Sequence, residues 1–182
     1  MQNRYQRRRQ RGVTLIEISM VLALIAIFIA GIFGYLRSTT VNQKVEQAVG
    51  EIAFMRNTVY ELYRSQASYS QLTSARLAAS NVVPRRMVDA DGTGLRHSFK
   101  GRMDVSPSTI AAFGDSFSIE LDDLPSDGCM LMASKDLGRD VFRIDITGGT
   151  GGSFATYPAP ATASAACGTQ GETTASVTWY FR

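Results

Sequence analysis

The sequence predicts an α+β fold in which one long N-terminal helix packs on an antiparallel β-sheet head. Apolar residues make up 45% of the 182 residues and charged residues 19%, which is typical of a globular protein. No proline occurs between Met1 and Val83, so a helix can continue through that stretch. In the second half, several segments alternate apolar and polar residues, as strands with one buried face do.

Charge is distributed unevenly along the chain. The formal net charge is +3, but residues 1–12 hold five arginines and no acidic residue. The other 14 basic and 16 acidic residues give residues 13–182 a net charge of −2, without the basic excess of nucleic-acid-binding proteins. One histidine and two cysteines disfavour zinc binding and histidine-based acid–base catalysis. These counts agree with our expectation, which rests mainly on the resemblance described below, of a non-enzymatic protein with no cofactor, no metal and no nucleic-acid partner.

A long apolar run follows the arginines. Residues 18–36 are 19 consecutive uncharged residues, close to the ~20 that cross a bilayer as a helix. The arginines before the run place residues 1–12 in the cytoplasm and the bulk of the chain on the other side of the membrane. An ordinary secretory signal is cleaved after its apolar region, whereas here the small residue Gly12 precedes the run. A plain membrane anchor explains the run but not Glu17, because a carboxylate at the edge of an apolar helix needs a positive partner.

The residues around this glycine carry a resemblance to a known family. The stretch RGVTLIE at residues 11–17 resembles the prepilin signature of type IV pilins, in which a prepilin peptidase cuts after the glycine and methylates the new N-terminal amine. The resemblance implies cleavage between Gly12 and Val13, N-methylation of Val13 and a mature chain of 170 residues. It also implies that Glu17, the fifth residue after the cut, directs assembly by pairing with the Val13 amine of a neighbouring copy.

The likeness is greatest to the type IVb branch of this family. SMVLALIA in the apolar run, SQASYSQL after the helix and SVTWYFR at the end look like the pilins of bundle-forming pili, with conjugative thin-pilus pilins next. Type IVa pilins begin the mature chain with Phe and have Pro inside the apolar run, where this sequence has Val13 and Gly34. The likeness covers residues 11 to about 84 and resumes around the two cysteines and the C-terminal strand. It implies the type IV pilin fold and a major pilin that polymerises through its N-terminal helix.

After Arg37 the chain becomes amphipathic. Apolar residues recur every three or four positions between polar ones, which predicts a helix with one buried stripe. The stripe consists of Val41, Val45, Ala48, Ile52, Met55, Val59 and Leu62. Because it continues the apolar run, we predict one helix from about residue 15 to about residue 64. Gly31 and Gly34 leave two interpretations open, which are close helix packing through small residues and a stretch that loses helicity in the filament.

From Ser65 onward the composition changes to Ser, Gly, Thr, Ala and Pro, which indicates a head with many turns. A short helix is predicted within residues 71–80. A second helix is predicted around Cys129, because Pro125 and Gly138 fit its boundaries and the resemblance favours it. Strands are predicted at residues 116–121, 141–146 and 175–181. Loops are predicted at residues 89–104, 148–157 and 158–166.

Cys129 and Cys167 are the only cysteines in the chain, and both lie on the exported side. The oxidising environment outside the cytoplasm and the even number of cysteines favour a disulfide over two free thiols or a redox pair. The resemblance agrees, since such pilins bridge a comparable C-terminal segment. In the chain-entropy treatment, closing a loop of about 37 residues stabilises the fold by roughly 3–4 kcal/mol.

Other conspicuous residues receive a structural interpretation. His97 lies in a basic, polar stretch and is predicted to be a surface residue. Trp179, Tyr180 and Phe181 are predicted to be sheet residues, partly in the core. A group of basic residues is predicted to form a solvated face rather than a site for an anionic partner. This group comprises Arg85, Arg86, Arg96, Lys100 and Arg102.

The predicted organisation has four parts. Residues 1–12 form a removed leader, 13–37 the transmembrane and filament-core half of the helix, 38–64 its amphipathic half, and 65–182 the disulfide-closed head. We expect a type IVb major pilin, held in the inner membrane with a periplasmic head before assembly and extracellular in a filament for adhesion, aggregation or conjugative contact afterwards. The expected partners are further copies of the chain, the prepilin peptidase and the pilus assembly machinery. A minor pilin, a type II secretion pseudopilin and a membrane-anchored exported binding protein are the alternatives.

Overall fold

The long N-terminal helix is present as one continuous element. The structure is a computed structural model that describes residues 14–169 and 175–182. The chain divides into two compact units, Met1–Thr40 and Val41–Arg182. Helix α1 (Leu15–Tyr63) begins in the first unit and ends in the second, and neither Gly31 nor Gly34 interrupts it. The prediction of one helix over about residues 15–64 is confirmed.

The second unit is an α+β head built on one six-stranded sheet. Every neighbouring pair of strands is antiparallel, and the strand order is β1-β2-β3-β6-β4-β5. The predicted fold class is therefore confirmed. After α1 the elements are α2 (Ser74–Ala79), a 3₁₀ turn (Arg85–Met87), β1 (Leu95–Arg96), β2 (Arg102–Thr109), β3 (Phe113–Leu124), α3 (Ser126–Ala133), β4 (Val141–Thr147), β5 (Gly152–Phe154), α4 (Pro160–Cys167) and β6 (Ala175–Phe181).

The C-terminal strand β6 is the centre of the sheet. Trp179 pairs with Ile119 of β3 on one side and with Ile144 of β4 on the other, and all three side chains are buried. Burial alternates along β6, as the predicted strand with one wet face requires. The predicted strands at 116–121 and 141–146 lie within β3 and β4.

The stripe of α1 supplies the helical side of the core. Its middle is fully buried, and Val41 at its start is half-buried. The prediction was wrong for Leu62, which is 41% exposed. Tyr63 takes its place, four residues after Val59, and its ring lies 5.5 Å from that of Tyr69 in the loop after the helix. The buried stripe consists of Val45, Ala48, Ile52, Met55 and Val59.

The loop predicted at residues 89–104 contains strand β1 and the start of β2, so that prediction was wrong in part. Strand β2 escaped prediction because it contains Pro107, which normally argues against a strand. Here β1 covers β2 only at Arg102 and Met103. The N–H of Val105 donates to the Ser74 hydroxyl rather than to a neighbouring strand. Pro107, two residues later, lies on the same open edge, where its missing N–H removes no bond between strands.

The loops predicted at residues 148–157 and 158–166 contain strand β5 and helix α4, so these predictions were also wrong. The low side-chain bulk that indicated a loop has another cause. Pro160 begins α4, where its missing N–H costs nothing, and Ala163 and Ala166 are buried. Their small side chains allow α4 to contact α3 closely.

Candidate assembly interface

The first part of α1 is an apolar helix with nothing covering it. Leu15–Ile32 is long and apolar enough to cross a membrane, and all of its residues are exposed. Large side chains such as Leu15, Ile27 and Phe28 are 88%, 70% and 70% exposed. So much exposed apolar surface is unfavourable in water, so this segment requires a bilayer or other protein chains around it.

Glu17 is the acidic residue in the first turn of this apolar segment. Its backbone N–H donates to the Thr14 carbonyl at 3.1 Å, and its side chain is exposed between Ile16 and Ile18. A carboxylate near a helix N-terminus is favourable in water, but it needs a cationic partner when the surroundings become apolar. Within residues 14–169 and 175–182, none of the ion pairs includes Glu17.

The prepilin signature also contains the predicted processing sites. Gly12 and Val13, the predicted cleavage and methylation sites, lie outside the described residues. Cleavage between them, methylation of Val13 and an assembly role for Glu17 therefore stay predictions.

In the head, the buried carboxylate of Glu51 in helix α1 binds the loop that contains Ser98. Glu51 is 4% exposed and accepts hydrogen bonds from the Ser98 backbone N–H at 2.9 Å and from Gln47 Nε2 at 3.1 Å. The Ser98 hydroxyl in turn donates to the Lys44 carbonyl at 2.9 Å. Burial raises the pKa of Glu51, whereas the Ser98 N–H lowers it.

Sequence reasoning missed Glu51, although its spacing held a signal. It follows Ala48 by three residues and precedes Met55 by four, so it lies on the same helix face as the buried stripe. An acidic residue on a buried face indicates a specific hydrogen-bonding partner. This partner is the loop that contains Ser98.

His97 is the second buried polar group of this loop. It was predicted to be a surface residue, but it is 4% exposed, so the prediction was wrong. Its Nδ1 accepts the Phe99 N–H at 3.2 Å, so Nε2 carries the proton and donates to the Asp122 carbonyl at 2.8 Å. Burial lowers the pKa of His97, against the raising effect of the Asp122 carbonyl. The polar neighbours in the sequence gave no sign of this, because Asp122 lies 25 residues further along the chain, in β3.

The head is also closed covalently at its C-terminal side. Cys129 of α3 and Cys167 of α4 form a disulfide with 5.9 Å between their Cα atoms, and both residues are buried. The bridge joins two helices that contact each other and encloses strands β4 and β5. It therefore closes the segment that contains β4 and β5 into a covalent loop.

The five basic residues predicted to form a solvated face lie at the surface. Arg85, Arg86, Arg96, Lys100 and Arg102 are all exposed, as the predicted solvated face requires. In the part of the chain that the structure describes, no group of three or more His, Cys, Asp or Glu residues is arranged to hold a metal ion.

Two models of known protein families match this chain. The family model for bundlin matches residues 37–182, which is most of the chain. The chain belongs to the bundlin family. A second family model, the prokaryotic N-terminal methylation motif, matches residues 7–33 and so covers the predicted prepilin signature.

Curated relatives of this bundlin-family chain come from Escherichia coli. The major structural subunit of the bundle-forming pilus of strain O127:H6 (E2348/69 / EPEC) is 30% identical over 142 residues, which is 76% of this chain and 72% of the relative. The subunit of the same name from O111:H- is 32% identical over 130 residues, covering 71% and 66%. These relatives confirm the predicted resemblance to type IV pilins of the bundle-forming kind.

Solved structures agree on the fold. A type IV pilin from Vibrio cholerae El Tor biotype has a TM-score of 0.54 and 15% identity, over 77% of this chain and 99% of that one. A type IV b pilin from Salmonella typhi has a TM-score of 0.53 and 16% identity, over 76% and 97%. This bundlin-family chain therefore has the type IV pilin fold.

Proposed function

We propose that this chain is the major structural subunit of a type IVb pilus of the bundle-forming kind. The observation that carries the proposal is the exposed apolar helix Leu15–Ile32 with Glu17 in its first turn, joined in one chain to a bundlin-family head. The curated relatives, named major structural subunits of the bundle-forming pilus, support it. The role is structural rather than catalytic, and the filaments serve adhesion, aggregation or conjugative contact.

Before assembly, the apolar helix holds the subunit in the inner membrane with its head in the periplasm. A prepilin peptidase removes residues 1–12 after Gly12 and methylates the amine of Val13, and the pilus assembly machinery then moves the subunit into the filament. The match of residues 7–33 to the N-terminal methylation motif supports this processing. In the extracellular filament, the apolar helices of many copies cover one another.

Glu17 sets the register between neighbouring subunits. In a core of packed apolar helices the carboxylate needs a cationic partner, and the methylated amine of Val13 from an adjacent copy keeps its positive charge. A subunit that enters out of register leaves both charges buried without a partner, which costs several kcal/mol. Since every 1.4 kcal/mol is a factor of ten in an equilibrium constant, this cost selects one register strongly.

The test compares Glu17→Ala with a matched control, Ser19→Ala. Ser19 lies two residues away, and its hydroxyl donates only to the Ile16 carbonyl of its own helix among the hydrogen bonds of the described residues. Both variants should lose residues 1–12 and gain a methyl group, as intact-mass analysis of the membrane fraction would measure. Electron microscopy of sheared surface material should show roughly tenfold fewer filaments, or none, for Glu17→Ala alone.

Three outcomes would contradict the proposal. Normal filaments from Glu17→Ala would remove Glu17 from the assembly step. A membrane protein that retains residues 1–12 and forms no filaments would instead favour a membrane-anchored exported binding protein. A processed chain that is scarce in sheared filaments would indicate a minor pilin or a type II secretion pseudopilin.

A further inference from the structure

The hairpin between strands β2 and β3 ends in an exposed apolar tip. Residues 109–113 are all exposed, and the tip has the sequence Ile-Ala-Ala-Phe at residues 110–113. Phe113 is 67% exposed and Ile110 is 47% exposed. Phe113 is more exposed than Phe54, Leu62 and Val82, so it is the most exposed large apolar side chain among the described residues of the head.

This tip is held in one conformation rather than left flexible. The Asp115 carboxylate accepts the backbone N–H groups of Ile110, Ala111 and Ala112 at 2.7, 2.7 and 2.9 Å. These three bonds lower the pKa of Asp115 to about 2. Gly114 then turns the chain at φ +81°, with its carbonyl accepting the Tyr69 N–H at 2.7 Å. A tip ordered in advance has less conformational entropy to lose when it binds a partner.

The same head contains a small apolar pocket, which we call the helix pocket. It lies between α1 and the segment that follows α3, and its volume is about 130 Å³. Engineered apolar cavities of about 150 Å³ bind benzene, so a phenylalanine ring fits a space of this size. Arg56, which lines it, donates to the Leu137 carbonyl at 2.7 Å and so fixes one wall. Most of its lining is apolar and two of its lining residues, Arg56 and Asp136, are charged; the apolar residues are Val49, Ile52, Ala53, Leu137 and Phe181.

We propose that Phe113 of one copy inserts into the helix pocket of the next copy along the filament. The occupant is a second copy of this chain, because one head carries both a projecting phenylalanine and a pocket of matching size and character. This inference rests on the proposed pilus-subunit function and adds to it a specific contact between heads.

The arrangement of tip and pocket suits a helical polymer. The two surfaces consist of different residues, so the contact is heterologous, and each copy that uses its tip still offers its pocket. Contacts of this kind produce open filaments unless the rotation between copies closes a ring. A buried aromatic anchor in a preformed pocket is also the usual form of an energetically dominant contact.

The decisive experiment places a photoreactive phenylalanine analogue at position 113 of the full chain. Illumination of intact filaments should produce covalent dimers, and mass spectrometry should locate the second attachment at Leu137 or within residues 49–56. The same analogue at Val82, another exposed apolar position of the head, is the control and should not label the pocket.

A pair of variants tests the contact from both sides. Phe113→Ala shortens the tip, and Ala53→Leu fills the pocket without changing the tip. Each should lower the yield of sheared filaments roughly tenfold, whereas Val82→Ala should not, and all three should keep the Cys129–Cys167 disulfide on non-reducing gels.

The outcomes separate this inference from the function on which it rests. Filaments that form normally but give cross-links only elsewhere, or only to proteins other than this chain, would overturn the contact and leave the pilus subunit intact. Absence of the wild-type chain from sheared filaments would overturn the proposed function and this inference with it.

Discussion

Removing the disulfide should destabilise the head by an amount that the structure allows us to calculate. We consider the double variant Cys129→Ala/Cys167→Ala, in which both thiols are absent and no free cysteine remains. The bridge spans 38 positions, and in the chain-entropy treatment a closed loop of this length stabilises the folded state by about 4 kcal/mol at 25 °C. Because both cysteines are buried, the loss of their sulfur atoms adds to this cost.

Urea unfolding of the full-length chain in mild detergent would measure the effect. Trp179 is the only tryptophan, and it is fully buried at the centre of the sheet, so its fluorescence reports unfolding of the head. With a slope of about 2 kcal/mol per molar urea, a loss of about 4 kcal/mol lowers the midpoint by about 2 M. Ser164→Ala, at an exposed position of α4, is the matched control and should change the midpoint little.

Reduction provides an independent check on the same chain. Dithiothreitol should lower the midpoint of the wild type to about that of the double variant and leave the double variant unchanged. If the double variant and the reduced wild type kept the wild-type midpoint, the bridge would not constrain the unfolded chain, and the reasoning from loop length would be refuted.

Three further predictions concern the polar anchors of the head. Glu51→Ala should lower the free energy of unfolding by about 1–3 kcal/mol, because the half-buried Ser98 N–H loses its acceptor; the same urea titration measures this, and an unchanged midpoint would contradict it. His97 has a lowered pKa in the folded state, so its stabilising contribution is present above pH 6.5 and is lost as the pH falls towards that lowered pKa. Urea midpoints between pH 7 and 5 should therefore fall less for His97→Gln than for the wild type, and equal slopes would count against the buried neutral ring. Asp115→Ala should speed hydrogen exchange at the amides of Ile110 and Ala112, and unchanged exchange rates there would mean that the carboxylate does not order the tip.

Local patterns predicted much of the fold because they depend on spacing along a short stretch. The apolar run and the stripe from Val41 to Leu62 predicted α1, whose last residue, Tyr63, is one short of the predicted end. Strand β6 has the predicted bounds, since alternation along it reflects one buried face. The misses have physical causes as well. Strand β2 was not predicted because it contains Pro107. Helix α4 was predicted as a loop because its side chains are small, but close contact with α3 requires small side chains.

In the candidate site, too, some residues could be recognised from the sequence and others could not. The prepilin signature, with Gly12, Val13 and Glu17, is a sequence motif and could be recognised from the sequence, as the match to the N-terminal methylation motif supports. Glu51 and His97 could not be assigned in the same way, because their partners Ser98 and Asp122 come from other parts of the chain.

By itself, the sequence determined the long helix, the alternating strands, the prepilin signature and the presence of two cysteines in an exported segment. These follow from residue type and spacing within short stretches, which local physics controls. Only the tertiary structure decided that β6 lies between β3 and β4, that Glu51 and His97 are buried, and that Phe113 projects while a pocket forms beside α1. These features depend on which distant segments meet, and that is a property of the folded chain as a whole.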